Sequence, residues 1–360
     1  MQIFQKKLEQ SPNYLFDNKC KKSDILYFDI ETTGFSPETT VLYLIGCVYY
    51  LEDGWHSIQW FADDRNSELK ILESFFELLK KYKILVHFNG DGFDIPYILK
   101  KCKQYHLDFS FENIESVDIY KKILPYKRFL KLENLKQKTI EKFLDMKRDD
   151  KYSGGELIQI YGTYLKSRYQ NNVEDKELLH LLLLHNEEDI IGLLGVTAIL
   201  NYSDIFTKDI EVTCASLMEE ELILNIHLAC NLPKRISFGN DSCYFIAYKE
   251  NATIKIKLYK NELKFFYDNY KDYYYLPEED TAIHKSVAFY VDKDFRTRAK
   301  AANCYSKKTG SFVPQYEEIL TPYFKIDYFD KITYVETTDE FMANKEQLNQ
   351  YAKHILIHMK

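Results

Sequence analysis

The chain has 360 residues, of which 46% are apolar and 29% charged, with a net charge of −7 and an aromatic content of 16%. That length suits about two domains with a packed core, and the hydrophobicity excludes an intrinsically disordered chain. With 12 Gly and 8 Pro it is neither collagen-like nor a linker, and the acidic balance gives no global electrostatic footprint for nucleic acid.

Seven Cys without a C-x-x-C pair point to free thiols in a reducing compartment. The N-terminal Met1–Lys7 lacks the apolar segment of a signal peptide. Leu178–Leu200 is the longest membrane-span candidate, but His185-Asn186-Glu187-Glu188-Asp189 breaks it. The expectation is a globular, cytoplasmic protein with no membrane contact.

Residues 1–23 read as an N-terminal extension. Ile25–Ile30 is an apolar run typical of a buried strand, and Val41–Leu51 leads through Glu52-Asp53-Gly54 into Trp55–Phe61, a hairpin signal. Asn66 or Ser67 can cap a helix whose Leu69, Leu72, Phe75, Phe76 and Leu79 recur at helical spacing. Ile84–Phe88 reads as a strand, and Asp94–Tyr105 as a helix begun after a glycine turn. Residues 115–200 read as mainly helical, with segments at Leu132–Leu144, Gly155–Leu165 and Asp175–Leu200. Lys121–Lys151 is locally basic, either a solvated face or a phosphate-tracking surface.

After residue 205 the pattern shifts to alternation, as in Ala252–Tyr259, followed by a turn at Lys260-Asn261-Glu262. Pro277–Val291 carries helix-start chemistry, and Asp339–His358 reads as a terminal helix. The fold class is therefore α/β, with a first domain at residues 24–205 and a smaller α+β domain at 206–360.

Three segments carry chemistry. In Phe28-Asp29-Ile30-Glu31-Thr32-Thr33-Gly34 the acids at i and i+2 share one face of a strand. Carboxylates so close repel unless a cation lies between them, and hard divalent ions prefer oxygen ligands. In Asn89-Gly90-Asp91-Gly92-Phe93-Asp94, Asp94 lands at a helix start, as an N-cap or as a third acid of the same site. On the long helix His185 and Asp189 lie at i and i+4 on one face, either in a shared site or as a satisfied core pair.

Together these segments resemble the DEDD 3′–5′ exonuclease superfamily of the ribonuclease H-like fold. Asp29 and Glu31 match its opening D-x-E, Asn89, Phe93 and Asp94 its N-x₂₋₃-[FY]-D, and Asp189 its last acid. His185 stands where one subfamily has tyrosine, which is a departure in side chain at the tyrosine-type spacing. Lys147-Arg148-Asp149-Asp150 and Ser153-Gly154-Gly155-Glu156 narrow the resemblance to the YprB-type group, over about residues 24–200.

The resemblance implies a ribonuclease H-like mixed sheet flanked by helices and a two-metal-ion hydrolysis of phosphodiesters in single-stranded nucleic acid, from 3′ ends. It implies two Mg²⁺ or Mn²⁺ ions held by Asp29, Glu31, Asp94 and Asp189, with His185 handling the attacking water. Thr32, Thr33, Asn89 and Phe93 are the candidates for contacting the substrate. A structure-specific endonuclease with the same metals, or a non-catalytic nucleic-acid-binding scaffold, are the competing readings. In the second domain, His284–Lys308 interleaves Lys285, Lys293, Arg296, Arg298, Lys300, Lys307 and Lys308 with Phe289, Phe295 and Tyr305. That mixture reads either as a solvated helix with core aromatics or as a single-strand-binding surface.

Overall fold

The computed structural model describes residues 1–16, 20–64, 66–171 and 174–360. It divides into two compact units, Met1–Ser203 and Asp204–Lys360.

The first unit is built on six strands: β1 (Gln2–Lys7), β2 (Ile25–Thr32), β3 (Leu42–Leu51), β4 (Gly54–Phe61), β5 (Ile84–His87) and β6 (Glu115–Asp118). They lie in the order β1-β4-β3-β2-β5-β6. The β1, β4, β3 and β2 neighbours pair antiparallel, while β5 is parallel to both β2 and β6. β2 is central, and Leu26, Tyr27 and Phe28 are all buried, as expected of a strand covered on both faces. Helices α1 (Ser67–Leu79), α2 (Asp94–Gln104), α3 (Ile119–Ile123), α4 (Lys127–Leu130), α5 (Gln137–Phe143), α6 (Gly154–Asn171) and α7 (Lys176–Val196) flank this sheet. This is the mixed α/β, ribonuclease H-like architecture that the sequence implies.

Two strands escape the pattern reading. β1, in the expected N-terminal extension, pairs with β4 along Gln2–Lys7. Its residues other than Gln2 and Phe4 are mostly exposed or polar, as suits an edge strand. β6 falls in a stretch expected to be helical; its four residues are too few for a period to register. The helix expected over Leu132–Leu144 is shortened to Gln137–Phe143.

α7 crosses β2, β3 and β4. The helical run Lys176–Thr207, of which α8 (Asn201–Thr207) is the last part, is long and apolar enough to cross a membrane. In its most apolar window, however, 78% of the residues are buried in the protein, so it is a core helix. Its close approach to the sheet depends on Gly46, which sits opposite Asp29 in the β2–β3 register. A Cβ on Gly46 would lie 2.0 Å from Asn186 Oδ1 and 3.1 Å from Ile190 Cδ1.

The second unit holds three small antiparallel sheets. β7 (Ile210–Leu217), β8 (Glu221–Gly239) and β9 (Cys243–Lys257) form one, β10 (Tyr259–Phe266), β14 (Tyr305–Gln315) and β15 (Thr333–Glu336) another, and β11 (Tyr273–Leu276), β12 (Thr281–His284) and β13 (Thr297–Arg298) the third. α10 (Asp339–Ala343) and α11 (Lys345–Met359) end the chain, and α11 packs on β7. Two expectations fail here. Lys260–Glu262 continues a strand, because β10 runs unbroken from Tyr259 to Phe266 against β14. Pro277–Val291 is a turn, then β12, then only the short α9 (Lys285–Ala288), since Thr281, Ile283 and His284 take up strand pairing with Tyr273–Leu276.

Gly46→Ala should cost about 1–3 kcal/mol, the usual range for forcing extra atoms into a packed contact. The check is a urea titration: a lower midpoint at unchanged slope is expected, and an unchanged midpoint would show that α7 is free to retreat.

Candidate metal centre

β2 ends where the sheet opens toward α7, and the i, i+2 alternation delivers Asp29 and Glu31 to one face. Glu31 is buried, with 9% of its surface exposed. Asp94 is the first residue of α2; the N-cap is Phe93, and Asp94 is turned inward and buried instead of being spent on capping. α7 supplies His185 and Asp189 one turn apart. One ligand atom each from Glu31, His185 and Asp189 lie within 4.8 Å of one another. His185 Nε2 is 3.6 Å from Glu31 Oε1 and 3.3 Å from Asp189 Oδ2.

The electrostatics match the crowding. Burial pushes the Asp29 carboxyl well above its usual range, and Asp189, Asp94 and Glu31 add to this by repulsion. Glu31 is raised in the same way, by burial and then by Asp189 and Asp94. Burial lifts Asp94 to about 7, against the pull of backbone N–H groups at Asp94 and Ile30. Acids brought together from distant segments thus disfavour the charged forms of Asp29, Glu31 and Asp94, as carboxylates do when they share a space without a cation.

Residues outside the sequence motifs complete the arrangement. Asn186, fully buried, donates from Nδ2 to Asp29 Oδ2 at 3.0 Å and accepts from Gln59 Nε2 at 3.0 Å. Gln59 also donates to the Leu183 carbonyl at 3.0 Å, so Asp29 is held by a relay anchored on the α7 backbone. Asp150 accepts from His185 Nδ1 at 2.8 Å. Burial alone would raise the Asp150 carboxyl, but the Tyr152 N–H, Lys138 and His185 outweigh it and hold it at about 2.

A carboxylate can only accept here, so Nδ1 carries the proton. In the neutral ring, Nε2 then directs a lone pair between two carboxylates. Such an arrangement calls for a cation or a proton in the gap.

Arg148 is the further member. Its guanidinium lies 2.6 Å from Asp189 Oδ1, 3.3 Å from both Glu141 and Asp150, and 3.4 Å from Glu188. Burial opposes its charge, yet Asp189 and Glu141 raise its pKa further. The sequence signal for these residues was present: the Lys147–Asp150 stretch carries part of the family resemblance, and Asn186 is a polar residue in an apolar helix. What the sequence could not give is that this stretch folds back onto α7.

The expected substrate contacts divide. Thr32 Oγ1 donates to the Gly34 carbonyl at 2.9 Å and Thr33 Oγ1 accepts from the Val41 N–H at 2.9 Å, so both hydroxyls shape the loop after β2. Phe93 packs edge-on against Phe35 at 6.0 Å between centroids, and Phe35 is 91% exposed. Asn89 is exposed, takes a left-handed φ of 61°, and its N–H donates to Asp118 Oδ1 at 2.9 Å.

A second acid–imidazole group, His87, Asp91 and Asp118, braces this turn. Asp118 also accepts the Asp91 N–H at 3.3 Å, and His87 Nδ1 accepts the Gly90 N–H at 3.1 Å. Asn89 also lines a cavity of about 530 Å³ with Phe88, Tyr120, Lys127, Lys136 and Gln137. Gln137 Nε2 donates to the Asp189 carbonyl at 2.9 Å, which connects the cavity wall to the acidic cluster.

Buried oxygens plus one imidazole nitrogen form a donor set that suits Mg²⁺ or Mn²⁺. In the metal-free protein the raised acids set a sign. Between about pH 4 and about pH 7 folded Asp94 retains a proton that the unfolded chain has released, so stability falls as pH rises through that window. Thermal melts in EDTA should show Tm falling from about pH 5 to about pH 8, with added Mn²⁺ raising it again at the upper end. A Tm that climbs over that range in EDTA contradicts the cluster.

Residues 26–201 match a family model described as the RNase_H superfamily. A stretch of 49 residues, 14% of this chain, is 45% identical to DNA polymerase 1 of Sulfolobus acidocaldarius, and the match spans 5% of that protein's length. Among solved structures, the family B DNA polymerase from the hyperthermophilic archaeon Pyrobaculum calidifontis is similar at 14% identity and a TM-score of 0.38, over 69% of this chain and 35% of that one. Over residues 26–201 the chain is thus similar to the RNase_H superfamily, and the sheet order of the first unit is consistent with a ribonuclease H-like fold.

Proposed function

We propose that the first unit is a divalent-metal-dependent nuclease that removes nucleotides from the 3′ end of single-stranded nucleic acid. The observation that carries this reading is the meeting of Glu31, His185 and Asp189 within 4.8 Å, beside Asp29 and Asp94, which burial and the Asp189 charge both push up in pKa. The match of residues 26–201 to the RNase_H superfamily supports nuclease chemistry in general.

Asp29, Glu31, Asp94 and Asp189 would hold two Mg²⁺ or Mn²⁺ ions. Such ions, when bound, stabilise charge on phosphoryl oxygens and lower the pKa of water. Asn186 fixes the rotamer of Asp29 and leaves its other oxygen free for the site. Asp150 holds the proton on His185 Nδ1, so Nε2 is the nitrogen that orients the attacking water or accepts its proton. Phe35 and Phe93 offer ring faces near Thr32–Gly34 for a terminal base. Lys127 and Lys136 place cations on the rim of the neighbouring cavity.

The test is a product ladder from 5′-labelled RNA and DNA oligonucleotides with Mn²⁺. Single-nucleotide shortening from the 3′ end is expected, and cutting of circular single strands would instead mark an endonuclease. Asp29→Asn and Asp189→Asn should remove the activity while the circular dichroism spectrum is kept. His185→Gln should lower the rate by about 10²–10⁴, the usual contribution of a positioned acid–base group. Near-wild-type cleavage by either aspartate variant would falsify the assignment.

A further inference from the structure

The second unit carries a surface that the carboxylate chemistry does not use. In the β11–β12–β13 sheet, Tyr273 and Tyr275 pack on a small core of Ala282, Ala299 and Cys304. By alternation Tyr274 faces the other way. The Arg296 and Arg298 guanidiniums lie 4.8 Å and 4.5 Å from its ring centroid. Arg296 also donates to the Ala288 carbonyl, which ties the end of α9 to the start of β13. Its Nε is buried with no hydrogen-bond partner.

Beside that tie the aromatics are turned outward, against the first of the two readings of this stretch, a solvated helix with core rings. Phe289 is 77% exposed, Tyr290 86% and Phe295 53%. Phe289 and Tyr290 stand edge to face, 5.5 Å apart. Three large rings left in water within seven residues are not the scattered exposure of an ordinary surface. Residues 285–300 hold five Lys/Arg against two Asp in a chain whose net charge is −7. Lys293, Arg296 and Arg298 make no ion pair among the described residues.

We propose that this face, made by Tyr274, Phe289, Tyr290, Phe295, Arg296 and Arg298, binds single-stranded nucleic acid. Exposed rings stack on bases of any sequence, and unpaired cations track phosphates. A guanidinium held against a ring by its flat face keeps N–H donors for an anion. A lipid surface would also take the rings. The choice of a polynucleotide rests on the nuclease reading of the first unit, which requires that polymer.

The experiment is fluorescence anisotropy of the full chain with labelled 20-mers of dT and of U, in EDTA so that nothing is cut. Phe289→Ser with Tyr290→Ser should weaken binding at least about tenfold, within the range for loss of stacked bases. Arg298→Gln with Lys293→Gln should flatten the plot of log K against log salt by about 1.4, at about 0.7 per phosphate contact on a single strand. Unchanged affinity and slope in both variants overturn the proposal, as does binding to phosphatidylglycerol vesicles without binding to either oligonucleotide. A chain that binds the 20-mers through these residues yet cuts nothing with Mn²⁺ refutes the nuclease reading and leaves this one standing. A chain that cuts while both variants bind as wild type does the reverse.

Discussion

Several carboxylates share a water-poor space at the end of β2, and the surrounding fold is arranged around their mutual repulsion. Bringing like charges out of water is costly in proportion to their burial, and the cost falls only if protons, cations or hydrogen-bond donors are supplied. The first unit supplies donors at fixed positions. Asn186 serves Asp29, backbone N–H groups serve Asp94, and Arg148 serves Asp189 together with three further acids. Asp29, Glu31 and Asp94 still retain raised pKa values. The protein's own groups therefore neutralise the cluster incompletely, and the remaining deficit is one that a divalent cation could fill.

This constraint reaches back to packing. For Asn186 to touch Asp29, α7 must lie almost on the sheet, and the residue opposite Asp29 on β3 must therefore lack a side chain. Gly46 meets that need. The same approach brings His185 over Glu31, and its second nitrogen would be free to rotate away were it not held by Asp150. A glycine on one strand, an amide on one helix and an acid on a distant loop thus act on the orientation of two oxygens and one nitrogen.

The sequence made the centre of this unit legible because its cues are local. Paired acids on an apolar strand, a glycine turn before Asp94 and an i, i+4 pair on a long helix each fit within a few residues. Arg148 and Asp150 were visible as part of a basic stretch, but their partners Asp189 and His185 on α7 lie 41 and 35 positions away, and no periodicity announces such contacts. β6 was lost to its length, and β1 to its mostly exposed, polar composition. In the second unit, acids after Pro277 gave a helix-start signal that strand pairing overrode at Thr281–His284. Propensity is a weak prior where a neighbouring strand offers a complete hydrogen-bond ladder.

The exposed rings belong to a stretch, His284–Lys308, that the sequence leaves open between a solvated helix with core aromatics and a binding surface. In the folded chain α9 is a single turn, too short to bury a stripe, and the rings that follow it are left outside. Arg296 lies with its guanidinium against the Tyr274 ring. Charge in this protein is accordingly separated by kind. Acids are gathered in a buried cluster that could hold a cation, while unpaired cations sit among exposed rings where a polyanion can reach them. A net charge of −7 summed over the chain conceals both.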